Sequence, residues 1–206
     1  MDCRVICVSR SLGARGEEVA RLLAKSLGFR YVDDEIVSRA AEKAGVSPEM
    51  VEKAERTPPL VVRILEAMAA APPAEPSGAA VLPFLTQTSQ GYQDVLGQVI
   101  RETAQAGNVV IVAHGASIPL TGMAALLRVF VTASPDTRAR RIGEERSLDE
   151  RAARKEVGDS DGQRREFLRR FYEVSRESPT HYDLVVNTDV LTPTRAAGVV
   201  VAAARD

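Results

Sequence analysis

A three-layer α/β fold around a five-stranded parallel sheet is what this sequence predicts, and three observations carry the prediction. Short unbroken apolar runs, Val5-Ile6-Cys7-Val8 and Val109-Val110-Ile111-Val112-Ala113 among them, have the pattern of strands buried on both faces. Between such runs lie segments whose apolar residues recur at helical spacing, the first being Val19, Leu22, Leu23 and Leu27. Strand and helix alternate along the chain, which argues for right-handed crossovers and helices on both faces of the sheet.

Taken in order, Arg4 to Ser9 is the first strand and Gly16 to Leu27 the first helix, with Glu17 and Glu18 suited to its first turn and Gly28 to its end. Phe29 to Val32 is a short second strand, and Asp33 to Ala44 a second helix stopped by Gly45. Ser47-Pro48-Glu49 opens a third helix, with Ser47 as its cap and Pro48 at the first helical position. The composition then turns to Ala, Pro, Gly and Ser, and a flexible insertion is expected over about 71–90. Tyr92 to Ala106 is helical by period, Gly107-Asn108 turns the chain, and strands follow at Val109 to Ala113 and Arg128 to Thr132. Three charged helical stretches run to about Arg176. Leu184-Val185-Val186-Asn187 is the last strand and Pro193 to Ala204 the last helix.

With 206 residues the chain can bury one sizeable core, so a single domain over 1–206 is expected. An apolar share of 45% beside 27% charged residues is that of a soluble globular protein, and no window reaches the roughly 20 apolar residues that span a bilayer. No membrane partner is expected. The apolar run after Met1 is too short for a signal-peptide core. Cys3 and Cys7, four apart in a strand, would share one face about 13 Å from each other, too far to bridge. Both features suit a reducing cytoplasm. Lys+Arg 27 against Asp+Glu 28 gives no global attraction to nucleic acid, so any phosphate recognition has to come from a local cluster. Two well-separated histidines, and cysteines confined to the first strand, argue against a structural zinc site, and no G-x-S-x-G elbow occurs.

Ligands on such a sheet bind beyond the carboxyl ends of the strands, and the first strand-to-helix loop is the usual place for phosphate. Here that loop is Ser9-Arg10-Ser11-Leu12-Gly13-Ala14-Arg15-Gly16-Glu17-Glu18. The pattern G-x-x-x-x-G-K-[ST] uses glycines so that backbone amides can close around phosphate oxygens, a lysine for the outer phosphates and a hydroxyl for magnesium. In this loop Arg15 stands at the second glycine, Gly16 at the lysine and Glu17 at the hydroxyl. Two readings stay open, a phosphate loop or a glycine-bearing turn with no ligand. Arg10 and Arg15 put two cations beside a helix N-terminus, which favours an anion. Glu17 and Glu18 repel a phosphate there unless magnesium lies between. Glu18 itself fits either a magnesium ligand or a helix-start carboxylate.

Further pieces follow in order: Tyr31-Val32-Asp33-Asp34-Glu35-Ile36, Val109 to Ala116, Ala133 to Arg141, Asp161-Gly162-Gln163-Arg164 with Phe171-Tyr172, and Tyr182 to Thr188. Together with Ser9-Arg10, Gly13, Gly16 and Glu18, they resemble the cytidylate kinase-like family. That family has a loop of the form S-R-x-x-G-[SA]-x-G-x-E, a Y-x-D-x-E-[LI] segment after the second strand and a D-x-x-R…F-Y lid helix. Ala113 and His114 stand where its strand end usually has Gly and Arg. The resemblance covers nearly the whole chain apart from about 57–92. It implies a P-loop nucleoside-monophosphate-kinase fold, ATP or a similar triphosphate with magnesium at the loop, and a pyrimidine monophosphate, CMP or dCMP, as acceptor.

Arginine is also concentrated in one place. The segment from Arg138 to Arg176 holds 12 of the 27 basic residues, and the planar guanidinium fork suits the stabilisation of charge on a moving phosphoryl group. This is the expected mobile lid, over about 138–176. Pairs such as Arg140/Glu144 at i,i+4 spacing mark most of it as a solvated face, whereas Arg138, Arg141 and Arg164, with Asp161 beside the last, are candidates for phosphate contact. In the resulting scheme the loop from Gly13 through Ala14 to Gly16 holds donor phosphates. Arg10 or Arg15 replaces the lysine, and Asp33 and His114 face the acceptor. The rival is a catalytically silent nucleotide-binding or regulatory module in which Glu17 and Glu18 exclude the triphosphate.

Overall fold

The computed structural model describes residues 3–44, 88–112 and 115–205. The helix expected from Ser47, most of the insertion expected at 71–90, the strand end at Ala113, and His114 lie outside the described residues. Five strands, β1 (Val5–Arg10), β2 (Arg30–Val32), β3 (Val109–Val112), β4 (Leu126–Thr132) and β5 (Leu184–Asn187), form one sheet in the order β2-β3-β1-β4-β5. Every pairing is parallel, with Val5 opposite both Val109 and Leu126. From β1 the chain passes to the edge strand β2, returns to β3 beside β1 and then crosses to β4 and β5 on the other side, so the connections that leave β1 and β3 run in opposite directions and the loop after β1 opens at that switch point.

Six α-helices are described: α1 (Gly16–Leu27), α2 (Glu35–Ala44), α3 (Thr88–Gln105), α4 (Pro135–Arg146), α5 (Glu150–Tyr172) and α6 (Pro193–Arg205). Alternation along β1 divides the core between the two faces of the sheet. Ile6 and Val8 pack with Val19, Leu23, Ala196 and Val200 of α1 and α6. Val5 and Cys7 pack with Ile36, Leu96, Ile100 and Phe171 of α2, α3 and α5. A third, smaller core of Ala139, Ile142, Ala153 and Val157 joins α4 to α5. Among the described residues no helix is long and apolar enough to cross a membrane.

Three sequence expectations need correction. Cys3 precedes β1, so strand alternation does not reach it; it packs on the α1/α6 side while Cys7 packs on the other. Strand β4 begins two residues earlier than expected, at Leu126. The three charged stretches are two helices. Ser134 caps α4, accepting from the Thr137 N–H at 3.3 Å, and Asp149 caps α5, accepting from the Ala152 N–H at 2.8 Å. α5 then runs without a break through Gly158 and Gly162 to a left-handed cap at Glu173.

Candidate functional site

The loop between β1 and α1 is held by close contacts. Ser11 donates its N–H to the Val131 carbonyl at 3.0 Å, and its hydroxyl lies 3.2 Å from that of Thr132, which ties the loop to the end of β4. Gly13 has φ +77°, and a Cβ there would stand 2.8 Å from the carbonyl oxygen of Arg138, so α4 passes directly behind the loop. Arg15 takes a left-handed conformation, φ 58°, and no side chain caps the N-terminus of α1. The first amides of that helix are therefore left to an outside acceptor, the usual condition for an anion site.

Gly16 answers why the lysine is missing. A Cβ at this position would meet Arg10 Cβ at 2.5 Å, because the Arg10 stem crosses over the first turn of α1. From there its guanidinium reaches Glu17, with Nε 2.9 Å from Oε1. Gly16→Ala is expected to lose about 1–3 kcal/mol to overpacking in spite of alanine's better helix propensity. Urea denaturation of the variant measures this; a gain in stability would show that the backbone at Arg10 or at the start of α1 shifts readily to admit the methyl group.

A cleft of about 740 Å³ opens over this loop, lined by Arg10, Gly13, Arg15, Gly16, Glu17, Glu18 and, from α4, Arg141. Ala14 is buried beneath it. Arg141 donates to the Gly13 carbonyl at 3.2 Å and to the hydroxyl and carbonyl of Thr188 at 3.1 and 2.6 Å. Thr188, buried at the end of β5, donates its hydroxyl to the Ala14 carbonyl at 2.9 Å. Burial, followed by the nearby guanidiniums of Arg15 and Arg140, pushes Arg141 below the usual arginine value. Among the described residues neither Arg15 nor Arg141 has a carboxylate partner within ion-pair distance. The rim of the cleft thus carries two cations without an ion-pair partner among the described residues, beside the carboxylates of Glu17, Glu18, Glu144 and Glu145 that line it too.

The remaining described candidates do not line this cleft. Arg138 is buried and its fork is committed: Nη1 and Nη2 lie 2.9 and 2.7 Å from the two carboxylate oxygens of Asp161, and Nε donates to the Ala133 carbonyl at 3.1 Å. Arg164 donates to Glu177 at 2.9 and 2.6 Å and to the Tyr182 hydroxyl at 3.0 Å, with its guanidinium 5.3 Å from the Phe130 ring centre. Burial acts to raise the Glu177 carboxyl, but hydrogen bonds from Arg164 and Tyr182 outweigh it and hold the group below its usual value. Asp33 follows β2 and accepts from the Tyr31 hydroxyl at 3.0 Å; burial and that carboxylate push the phenol up to about 12. The sequence missed Glu177, Tyr182 and Thr188 as site partners. Tyr182 and Thr188 had a signal, as the two ends of the last piece of the family resemblance, with Thr188 also one residue beyond a strand's carboxyl end; Glu177 had none.

Among the described residues no group of three or more His, Cys, Asp or Glu side chains is placed to hold a metal. Magnesium beside phosphates needs less, one or two carboxylates with the phosphates and water. Glu18, exposed in the first turn of α1 and lining the cleft, meets that requirement.

The chain is similar in structure to an uncharacterized protein from Eubacterium ventriosum ATCC 27560, with a TM-score of 0.66 at 16% identity over 98% of each chain. A shikimate kinase from Bacteroides thetaiotaomicron gives a TM-score of 0.50 at 14% identity, covering 96% of this chain and 95% of its own. A Thermus thermophilus protein gives 0.51 at 17% identity over the full length of both. At these identities the likeness is one of fold, that of the P-loop kinases. No curated protein sequence matched the chain. The family signature is found in the sequence itself: the profile of the cytidylate kinase-like family matches residues 5–190, spanning the loop after β1, both helices of the arginine-rich segment and the last strand, and the chain belongs to that family.

Proposed function

We propose that this protein transfers the terminal phosphoryl group of ATP to a nucleoside monophosphate of the CMP or dCMP class. The observation that carries the reading is the uncapped start of α1 with Arg15 and Arg141 beside it, two cations without an ion-pair partner among the described residues at a helix N-terminus on a kinase-like fold. Amides of Gly13, Arg15 and Gly16 hold the donor phosphates, the Ala14 N–H being taken by the Ser11 carbonyl at 3.1 Å; Arg15 and Arg141 take the charge that the missing lysine would, and Glu18 would hold magnesium, which screens the phosphates from Glu17. Arg10 joins them once a phosphate displaces Glu17 from its guanidinium. Asp33 lies on the acceptor side, and His114 is assigned there by its place after β3. Arg138, Asp161 and Arg164 support the site through their partners in the body of the protein.

Thermal melting with ATP-magnesium and with CMP tests the two sites separately, since ligand at 100 times its Kd adds about 2.7 kcal/mol to stability. A transfer assay with CMP, dCMP, UMP and AMP as acceptors follows. Turnover with a pyrimidine monophosphate is the expected result. Stabilisation by ATP-magnesium without turnover of any acceptor would favour a silent nucleotide-binding module, the reading that the Arg10–Glu17 pair supports. No response to ATP-magnesium would remove the donor site.

A further inference from the structure

The side chain of Leu12 leaves the phosphate loop and packs on the small core that α4 and α5 share, Ala139, Ile142, Ala153 and Val157, with Leu148 on the same core. Its carbonyl accepts from Arg138 Nη1 at 3.4 Å, and the next carbonyl, of Gly13, from Arg141 Nη1 at 3.2 Å. Arg138 is in turn gripped by Asp161 of α5 at 2.9 and 2.7 Å. The loop backbone at Gly13 also lies against α4, where a Cβ would be 2.8 Å from the Arg138 carbonyl oxygen. An apolar plug, two carbonyl contacts and one steric contact therefore bind the loop to the α4–α5 pair.

We propose that Leu12 is a positioning residue for the donor phosphates, coupling the loop to α4–α5 so that the amides of Gly13, Arg15 and Gly16 converge only while that helix pair is seated. The proposal rests on the donor-site reading given above. Left-handed backbone at a non-glycine residue, here Arg15 with φ 58°, persists only where its surroundings over-determine it. Leu12 supplies part of that constraint from three residues away. A consequence is that the arginine-bearing helices do not swing over a fixed loop; movement of α4–α5 carries the loop with it.

The test compares Leu12→Ala with Leu148→Ala, which removes the same side-chain atoms from the same core without touching the loop. Both variants should melt at similar, lowered temperatures. Leu12→Ala should weaken ATP-magnesium binding tenfold or more by calorimetry and speed amide exchange over residues 12–18. Leu148→Ala should change affinity less than twofold and leave that exchange as in the parent. Leu12→Met should restore both readouts, and Leu12→Val serves if the alanine variant does not fold. Equal affinity losses in the two alanine variants would overturn the proposal, as would unchanged affinity in Leu12→Ala. If the parent protein binds no ATP-magnesium, the donor reading fails by itself. Loop exchange then decides the coupling alone: faster exchange confined to the Leu12 variants upholds it, and equal exchange refutes it.

Discussion

Replacing Asp161 with alanine should lower the stability of the folded protein by about 3 kcal/mol, the low end of what breaking a buried ion pair costs. The reason lies in its partner. Arg138 keeps only 5% of its side chain exposed, and Asp161, at 32%, meets it with both carboxylate oxygens. Without Asp161 the guanidinium stays buried, with carbonyls of Ala133 and Leu12 for partners but no counter-charge. The partial exposure of Asp161 lets water replace some of what is lost, which is why the lower figure is expected. Asp161→Asn, which retains one acceptor oxygen, should lose less. Urea denaturation at neutral pH measures both, with an unchanged slope as the sign that only stability has moved. A loss below about 1 kcal/mol would show that Arg138 finds water or another acceptor readily, and would reopen a direct part for it in phosphate binding.

The inner strands β1 and β3 were legible because both of their faces are buried: an unbroken run such as Val109-Val110-Ile111-Val112 has few other structural solutions. The helix breaks around the arginine-rich segment were less so. Gly158 and Gly162 weaken the helical pattern, at about 1 kcal/mol each relative to alanine, but no neighbouring atom lies within 4 Å of a Cβ at Gly158, and α5 continues through both. At the site, the cations were visible and their partners were not. Periodicity places Arg164 near Asp161, yet its carboxylate is Glu177, thirteen positions on beyond the left-handed turn at Glu173, where no period links one residue to another. The substitution of glycine for the P-loop lysine looked like the loss of a charge. In three dimensions it also makes room, since the stem of Arg10 occupies the space in which a side chain at residue 16 would begin.

Removing Arg15 and Arg141 together is expected to weaken ATP-magnesium binding by about 10²–10⁴-fold, as two charge-assisted hydrogen bonds at about 1.5–3 kcal/mol each. Arg141→Met keeps the aliphatic stem and so limits the damage at Thr188, while Arg15→Ala changes an exposed side chain with no ion pair to lose. Arg10 should behave differently. Its guanidinium already faces Glu17, so a phosphate gains Arg10 only by displacing that carboxylate, and Arg10→Ala should cost less than either of the others. The same argument fixes the sign for Glu17→Gln, which removes a negative charge from the cleft and frees Arg10. Its affinity should rise several-fold. Titration calorimetry across the set distinguishes the outcomes. If the double variant binds as the parent does, Arg15 and Arg141 are not phosphate ligands; if Glu17→Gln weakens binding, Glu17 serves the nucleotide through magnesium and the Arg10–Glu17 pair is not a barrier to it.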